Sequence, residues 1–342
     1  MYYTELSMSA QTAYAEILDQ ARSMAIDSLS SLKGAFHTRV IKNKSYVYFG
    51  YRDINGVGRM VYVGPDDDRV NVLIDKYKIE KAYPKLSALS QSAQILGCNG
   101  MMPKHFKITN QLASYGFFKA GGILVGTHAF LAIGNMLGVK WDSGDKTLDV
   151  DFAHAGKKIS IALPSNMDIS VRDALTSLEM GLLPIQLLSG AAGAQYRNPL
   201  DPELRVDFLT PEGKETTNVV MRNLGLSLEP LKFMEFSLEG TTQAAILGRD
   251  GACLVNIPSP ERYAIHKLIV FGERKQADRV KSFKDVEQAA ALVSWHIKNG
   301  QANKIADAWT DAISRGKGWK NRAHEGLKAM MARHPGLKME NM

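Results

Sequence analysis

The chain has 342 residues, 45% of them apolar and 23% charged, with a formal net charge of +7. That balance excludes a disordered chain, and the longest apolar runs, residues 121–125 and 182–188, fall far short of the ~20 residues a membrane-spanning helix needs. The length suits two or three domains with at least one sizeable core.

Residues 1–18 carry Glu5 and Glu16 and lack a basic patch followed by an apolar stretch, so no secretory signal is expected and the cytoplasm is the expected location. Cys98 and Cys253 stand apart from each other and from any histidine at ligand spacing. They are expected to be buried, reduced thiols rather than zinc ligands or a disulfide.

Apolar residues at helical spacing within 4–32 predict an opening helix that Lys33-Gly34 stops. Residues 36–63 follow, with Tyr46, Tyr48, Phe49 and Tyr51 before Asp53-Ile54-Asn55-Gly56 and Met60 to Val63 after it. That pattern predicts a β-hairpin ended by Gly64-Pro65-Asp66. A charged periodic stretch over 69–94 predicts a helix that Pro84 kinks.

From Phe117 onward the pattern alternates. Strands are predicted at 121–125, 148–152, 158–163 and 203–209, with helices at 127–137 and 171–182, and this implies a mixed sheet with helices packed on it. Further strands are predicted at 233–236, 244–247 and 253–257. Ser259-Pro260-Glu261 then starts a helix, because a serine oxygen suits the cap and proline loses nothing at the first helical position. Helices around 283–299, 303–314 and 322–333 complete the chain. Residues 301–342 hold eight Lys or Arg against four acids, a face that suits either a polyanion or bulk solvent.

Asp149-Val150-Asp151 lies in a predicted strand, so the period of two sends both carboxylates to one face and Val150 to the other. Two adjacent anions repel unless a cation sits between them, and hard oxygen ligands suit magnesium better than zinc. Upstream, Val125-Gly126-Thr127 joins a strand to a helix, where backbone N–H groups can cradle a phosphate. Downstream, Asp207 stands alone among Val206, Phe208 and Leu209, a costly placement unless a partner meets it. His128, at a helix start, and His154, after the Asp strand, read as structural or loop residues; Asp142 and Asp145 read as turn residues.

In this order, Leu124-Val125-Gly126-Thr127, Asp149-Val150-Asp151 and Val206-Asp207-Phe208-Leu209 resemble the DNA polymerase β nucleotidyltransferase superfamily. The wider chain looks like a bacterial subfamily of nucleotidyltransferase-like proteins, through Tyr62-Val63-Gly64-Pro65 and the segment Arg262-Tyr263-Ala264-Ile265-His266-Lys267-Leu268. Lys267, Arg274, Lys284 and Asp285 are similar to a helix pattern of abortive-infection nucleotidyltransferase toxins. One departure stands out: Thr127 occupies a position where the superfamily usually has glycine or serine.

The resemblance implies an α+β fold: a polymerase β-type core of mixed sheet and helices at 96–257, a small N-terminal helix and β-hairpin unit at 1–95, and a C-terminal helical domain at 258–342. It implies that Asp149, Asp151 and Asp207 are catalytic and hold two Mg2+ ions, and that Gly126, Thr127 and Lys267 bind the nucleoside triphosphate. The implied reaction moves a nucleoside monophosphate to an RNA, tRNA included, or to a protein hydroxyl. A toxin or defence role with an antitoxin-like partner follows from the abortive-infection likeness alone. The competing expectation is an inactive module of this fold that binds nucleic acid or a partner protein.

Overall fold

The computed structural model describes residues 2–27, 34–41, 44–52, 58–72, 74, 86–142, 147–155, 170–186, 192–213, 217–221, 224–274 and 279–337. The chain opens with strand β1 (Tyr3–Glu5) and helix α1 (Met8–Asp27), then β2 (Gly34–Ile41), β3 (Lys44–Arg52) and β4 (Gly58–Pro65). Helices α2 (Ser87–Ile95) and α3 (Pro103–Ser114) precede β5 (Gly122–Leu124), α4 (Gly126–Met136), β6 (Val139–Trp141) and β7 (Asp149–His154). Next come α5 (Val171–Thr176), β8 (Leu183–Gln186), β9 (Ala192–Asn198), β10 (Asp201–Pro211), β11 (Val219–Met221) and β12 (Leu226–Leu231). Helix α6 (Met234–Glu239), the hairpin β13 (Thr241–Gly248) and β14 (Gly251–Pro258), and helices α7 (Pro260–Glu273), α8 (Arg279–Lys298), α9 (Ala302–Ser314) and α10 (Lys317–Arg333) finish it.

This is an α+β fold. Its largest sheet runs β11-β12-β10-β7-β5, with β9 also paired to β10 and β8 to β9. The central pair, β7 and β10, is parallel, while β5 lies antiparallel to β7. Phe152 and Phe208 face the same side of that pair and stack, with ring centroids 5.5 Å apart, and Phe117 meets both edge-on. These rings are fully buried beneath the sheet, so the opposite face of β7 and β10 is held on a rigid base.

The N-terminal elements are tied in by side chains as well as strands. Tyr3 to Glu5 pair with Trp141 to Val139, and the Tyr14 hydroxyl on α1 reaches both the carbonyl and the N–H of Ala245 on β13. Strands β2, β3 and β4 form a separate antiparallel sheet in that order. Its β3-β4 arm is the expected hairpin; β2 is an additional strand, paired with β3 from Gly34↔Tyr51 to Ile41↔Lys44.

Several expectations change. The strand expected at 233–236 is a helix: Phe233 takes φ 65°, a left-handed turn that ends β12 and starts α6. The short run Phe-Met-Glu-Phe has no strict alternation and is ambiguous at this length, and packing decides it, with Phe236 fully buried and the guanidinium groups of Arg262 and Arg315 4.6 and 5.0 Å from its ring centroid. The helix expected at 171–182 stops at Thr176. Ser259 has the extended backbone of a cap, yet its Oγ makes no cap bond. The strand expected at 158–163 and the kink at Pro84 lie outside the described residues, as does Asp145.

Both cysteines are buried. No helix among the described residues is long and apolar enough to cross a membrane. In the basic C-terminal stretch, Arg315 pairs with Asp311 and Glu239, Arg322 with Glu273, and Arg333 with Glu287, so part of its charge is spent on joining helices.

Candidate active site

Strand β7 presents Asp149 and Asp151 on one face and buries Val150 completely on the other, as a period of two requires. On the neighbouring strand, the parallel register sets Asp207 opposite Asp151 and Arg205 opposite Asp149. Paired residues of adjacent strands are separated by ~4.8 Å and point to the same face, so the three carboxylates share one small area. Arg205 Nε lies 3.9 Å from Asp149 Oδ1, with both side chains about two-fifths exposed, a contact worth ~1 kcal/mol at most.

Asp207 is half-buried like the other two, but its Oδ1 is shielded from solvent and has no hydrogen-bond partner among the described residues. Desolvation, then the charges of Asp151 and Asp149, push its pKa from the ordinary 3.8 up to about 6. A buried, unpartnered carboxylate oxygen facing two more carboxylates is what a divalent cation would satisfy. Among the described residues, however, no three His, Cys, Asp or Glu side chains stand close enough together to form a ready-made metal shell.

Gly126 begins α4 beside this group. It takes φ +66°, and a Cβ there would come within 2.2 Å of Asp151 Oδ2. Only glycine satisfies both constraints. The Val125 N–H donates to the Asp151 carbonyl at 2.9 Å, which fixes the helix start to the strand that carries the carboxylates. Thr127 follows in the first turn of α4, half-buried, with the helix N–H groups directed out of its N-terminus.

Helix α7 buttresses this turn. The Tyr263 hydroxyl lies 2.9 Å from the Gly126 carbonyl and 3.0 Å from Gln288 Oε1. Lys267, one turn along, does not stand free: its Nζ bonds Asp285 Oδ1 at 2.7 Å and sits 5.3 Å from the Tyr263 ring centroid. Arg274 Nε reaches the other oxygen of the same carboxylate at 2.9 Å. Burial opposes the charge on Lys267, but the attraction of Asp285 outweighs it and the ammonium pKa is raised. The Lys267, Arg274 and Asp285 of the sequence pattern therefore form one cluster joining α7 to α8.

His128 is also structural in its surroundings. Its Nε2 lies 2.9 Å from His105 Nδ1 on α3, and burial drives the His128 pKa down to about 3. His154 contacts the Ala120 carbonyl at 2.8 Å and closes the end of β7. Sequence reasoning passed over His105, Arg205 and the hydroxyl of Tyr263. The readable signal for the last was the i, i+4 spacing of Tyr263 and Lys267, which puts them on one face of a helix.

A family model described as nucleotidyltransferase matches residues 104–314. That span takes in β5, α4, β7, β10 and the helices α7 and α8. Among solved structures, the chain is similar to an antigenic nucleotidyltransferase-like protein from Paracoccidioides brasiliensis, at 14% identity and a TM-score of 0.31, over 66% of this chain and 95% of that one. No match is found among curated proteins.

Proposed function

Because the chain belongs to the nucleotidyltransferase family, with 104–314 of its 342 residues matched, we propose that Asp149, Asp151 and Asp207 are the carboxylates of a magnesium-dependent transfer of a nucleoside monophosphate from an NTP to an RNA hydroxyl. The observation that carries this reading is the register of β7 and β10, which puts Asp207 opposite Asp151 with a shielded oxygen that no described residue satisfies. Magnesium ions held there, two in the superfamily that the sequence resembles, would supply charge neutralisation and polarise the phosphate that is attacked.

The chain's own residues do the rest by positioning. Gly126, lacking a Cβ, lets the Asp151 carboxylate pack against the start of α4, and the first N–H groups of α4 direct their partial positive charge at the triphosphate. Thr127 offers a hydroxyl at the same turn. Its added methyl, absent from glycine or serine, narrows the approach. Lys267 contributes a buried cation behind that turn, linked to it through Tyr263. Asp207, opposite Asp151, aligns the acceptor hydroxyl and takes its proton as the oxygen attacks the α-phosphate in line and the bond from that phosphorus to the pyrophosphate oxygen breaks. Pyrophosphate leaves.

RNA, including tRNA, is the acceptor we favour over a protein hydroxyl. A toxin role with an antitoxin-like partner rests on the resemblance of Lys267, Arg274, Lys284 and Asp285 alone, and growth arrest on expression, relieved by Asp151→Asn, is its test. For the reaction itself, purified protein is incubated with magnesium, each α-labelled NTP and total RNA. Label should enter RNA from at least one nucleotide and vanish with chelator or with Asp151→Asn. Label entering only protein would move the acceptor. RNA and nucleotide binding without any transfer would make the domain a binding module.

A further inference from the structure

The β2-β3-β4 sheet plays no part in the site described above, yet its two faces differ sharply in chemistry. One is covered over its β3-β4 part, where Val47 is 1% exposed and Gly64 is buried against the side chain of Val70, while Thr38 and Val40 at its β2 edge are exposed. The other face follows from the register. His37 pairs with Tyr48, Arg39 with Tyr46, and Tyr48 with Tyr62, so these five side chains share it with Met60.

Contacts confirm the grouping. The Arg39 guanidinium lies 5.6 Å from the Tyr48 centroid and reaches Met60 Sδ at 3.0 Å. Tyr62 meets Tyr48 at 64° and Tyr46 at 56°, so the rings tilt against one another rather than stack face to face. Tyr62 keeps 53% of its surface in water, and His37, Arg39 and Lys44 are exposed.

Charge completes the picture. Between Gly34 and Pro65 the sequence has five Lys or Arg, at 39, 42, 44, 52 and 59, and one acid, Asp53. Acids reappear just beyond the sheet at Asp66, Asp67 and Asp68. Of these, Asp67 is already committed, accepting the N–H groups of Arg69 and Val70. Rings on a sheet face with guanidinium and ammonium groups among them bind unstacked bases and the phosphates between them, since every base has a π-face and each phosphate a charge. Tyrosine, arginine and methionine also furnish protein interfaces, so it is the five cations against one acid that favour a polyanion here.

We propose that this face, centred on Arg39, Tyr48 and Tyr62, is a docking platform for single-stranded RNA. The choice of RNA rests on the acceptor proposed above; the platform holds the strand whose hydroxyl receives the nucleotide.

The test is fluorescence anisotropy of the full chain with a labelled 12-nucleotide unstructured RNA at low salt, repeated with single-stranded DNA, duplex RNA and heparin as competitors. Tyr62→Ala and Tyr48→Ala should each weaken binding about tenfold. Tyr62→Phe, which keeps the ring, should stay within about twofold of the native protein, a rescue that mere loss of folding could not give. Arg39→Ala should weaken binding and lower the slope of log affinity against log salt by about 0.7. Unchanged binding in Tyr62→Ala and Arg39→Ala, or single-stranded DNA bound more tightly than RNA, would overturn the proposal. So would capture of a protein by this face with no RNA bound. Asp151→Asn separates the two readings: it should keep full RNA binding while losing transfer. Should the native protein bind RNA through these residues yet transfer no label to it, the acceptor reading fails and the platform stands.

Discussion

A carboxylate partly withdrawn from solvent, and opposite a second carboxylate, has two reasons to resist ionisation, and the pKa of Asp207 near 6 expresses both. The consequence for stability has a definite sign. Between the ordinary 3.8 and about 6 the folded protein holds a proton that the unfolded chain has released, so stability rises as pH falls through that window and the penalty is complete above it. Asp207→Asn removes the penalty. With chelator present at pH 7.5 it should raise unfolding stability by ~1–3 kcal/mol. The gain should vanish below about pH 4, read by denaturant unfolding at several pH values, while transfer falls on the order of a hundredfold or more. Gly126 shows the opposite relation. A Cβ there meets Asp151 Oδ2 within 2.2 Å and the backbone sits at φ +66°, so Gly126→Ala should cost ~1–3 kcal/mol in thermal unfolding and weaken NTP binding.

At the scale of elements, the site depends on how α7 and α8 grip the turn that starts α4. Lys267 has a side chain only 15% exposed and Asp285 one that is 3% exposed, so removing one charge strands the other. Asp285→Asn should destabilise the fold by ~3–5 kcal/mol. Tyr263→Phe removes a single hydroxyl and should cost only ~1 kcal/mol, but it frees the Gly126 carbonyl and should raise KM for NTP more than it lowers kcat. These elements differ in how far the sequence revealed them. Strands β5, β7 and β10 were readable from short apolar alternation, and α7 from Ser259-Pro260. The three aspartates could be nominated because a strand's period of two is local. Their meeting was not readable, since the pairing of Asp207 with Asp151 joins residues far apart in the chain and is set by sheet assembly. Strand β9, with the small and polar Ala192-Gly193-Ala194-Gln195, carries almost no propensity signal and exists because β10 pairs with it. Helix α3 was legible but passed over: Pro103 marks its first turn and Phe106, Ile108, Thr109 and Leu112 lie on one buried face, although the His105–His128 contact that anchors it is tertiary.

Across the whole molecule, five histidines at 105, 128, 154, 266 and 296 have pKa values lowered first by burial, to about 3 for His128 and His266. Their neutral forms are favoured in the fold, so this contribution is complete above the unfolded value of 6.5 and is lost as pH falls toward the folded values. Asp207 and Glu235, both raised first by burial, act with the opposite sign, but they are two groups against five. Unfolding free energy should therefore drop by roughly 1 kcal/mol or more per pH unit below 6.5, and a flat profile from pH 7 to 5 would contradict this burial. Cation binding between β7 and β10 underlies the proposed activity, and Mn2+ reports it directly by electron paramagnetic resonance in the presence of a non-hydrolysable NTP analogue. Native protein should immobilise Mn2+, and Asp151→Asn and Asp207→Asn should each lose that signal while remaining folded. Equal Mn2+ binding by native protein and both variants would contradict the account.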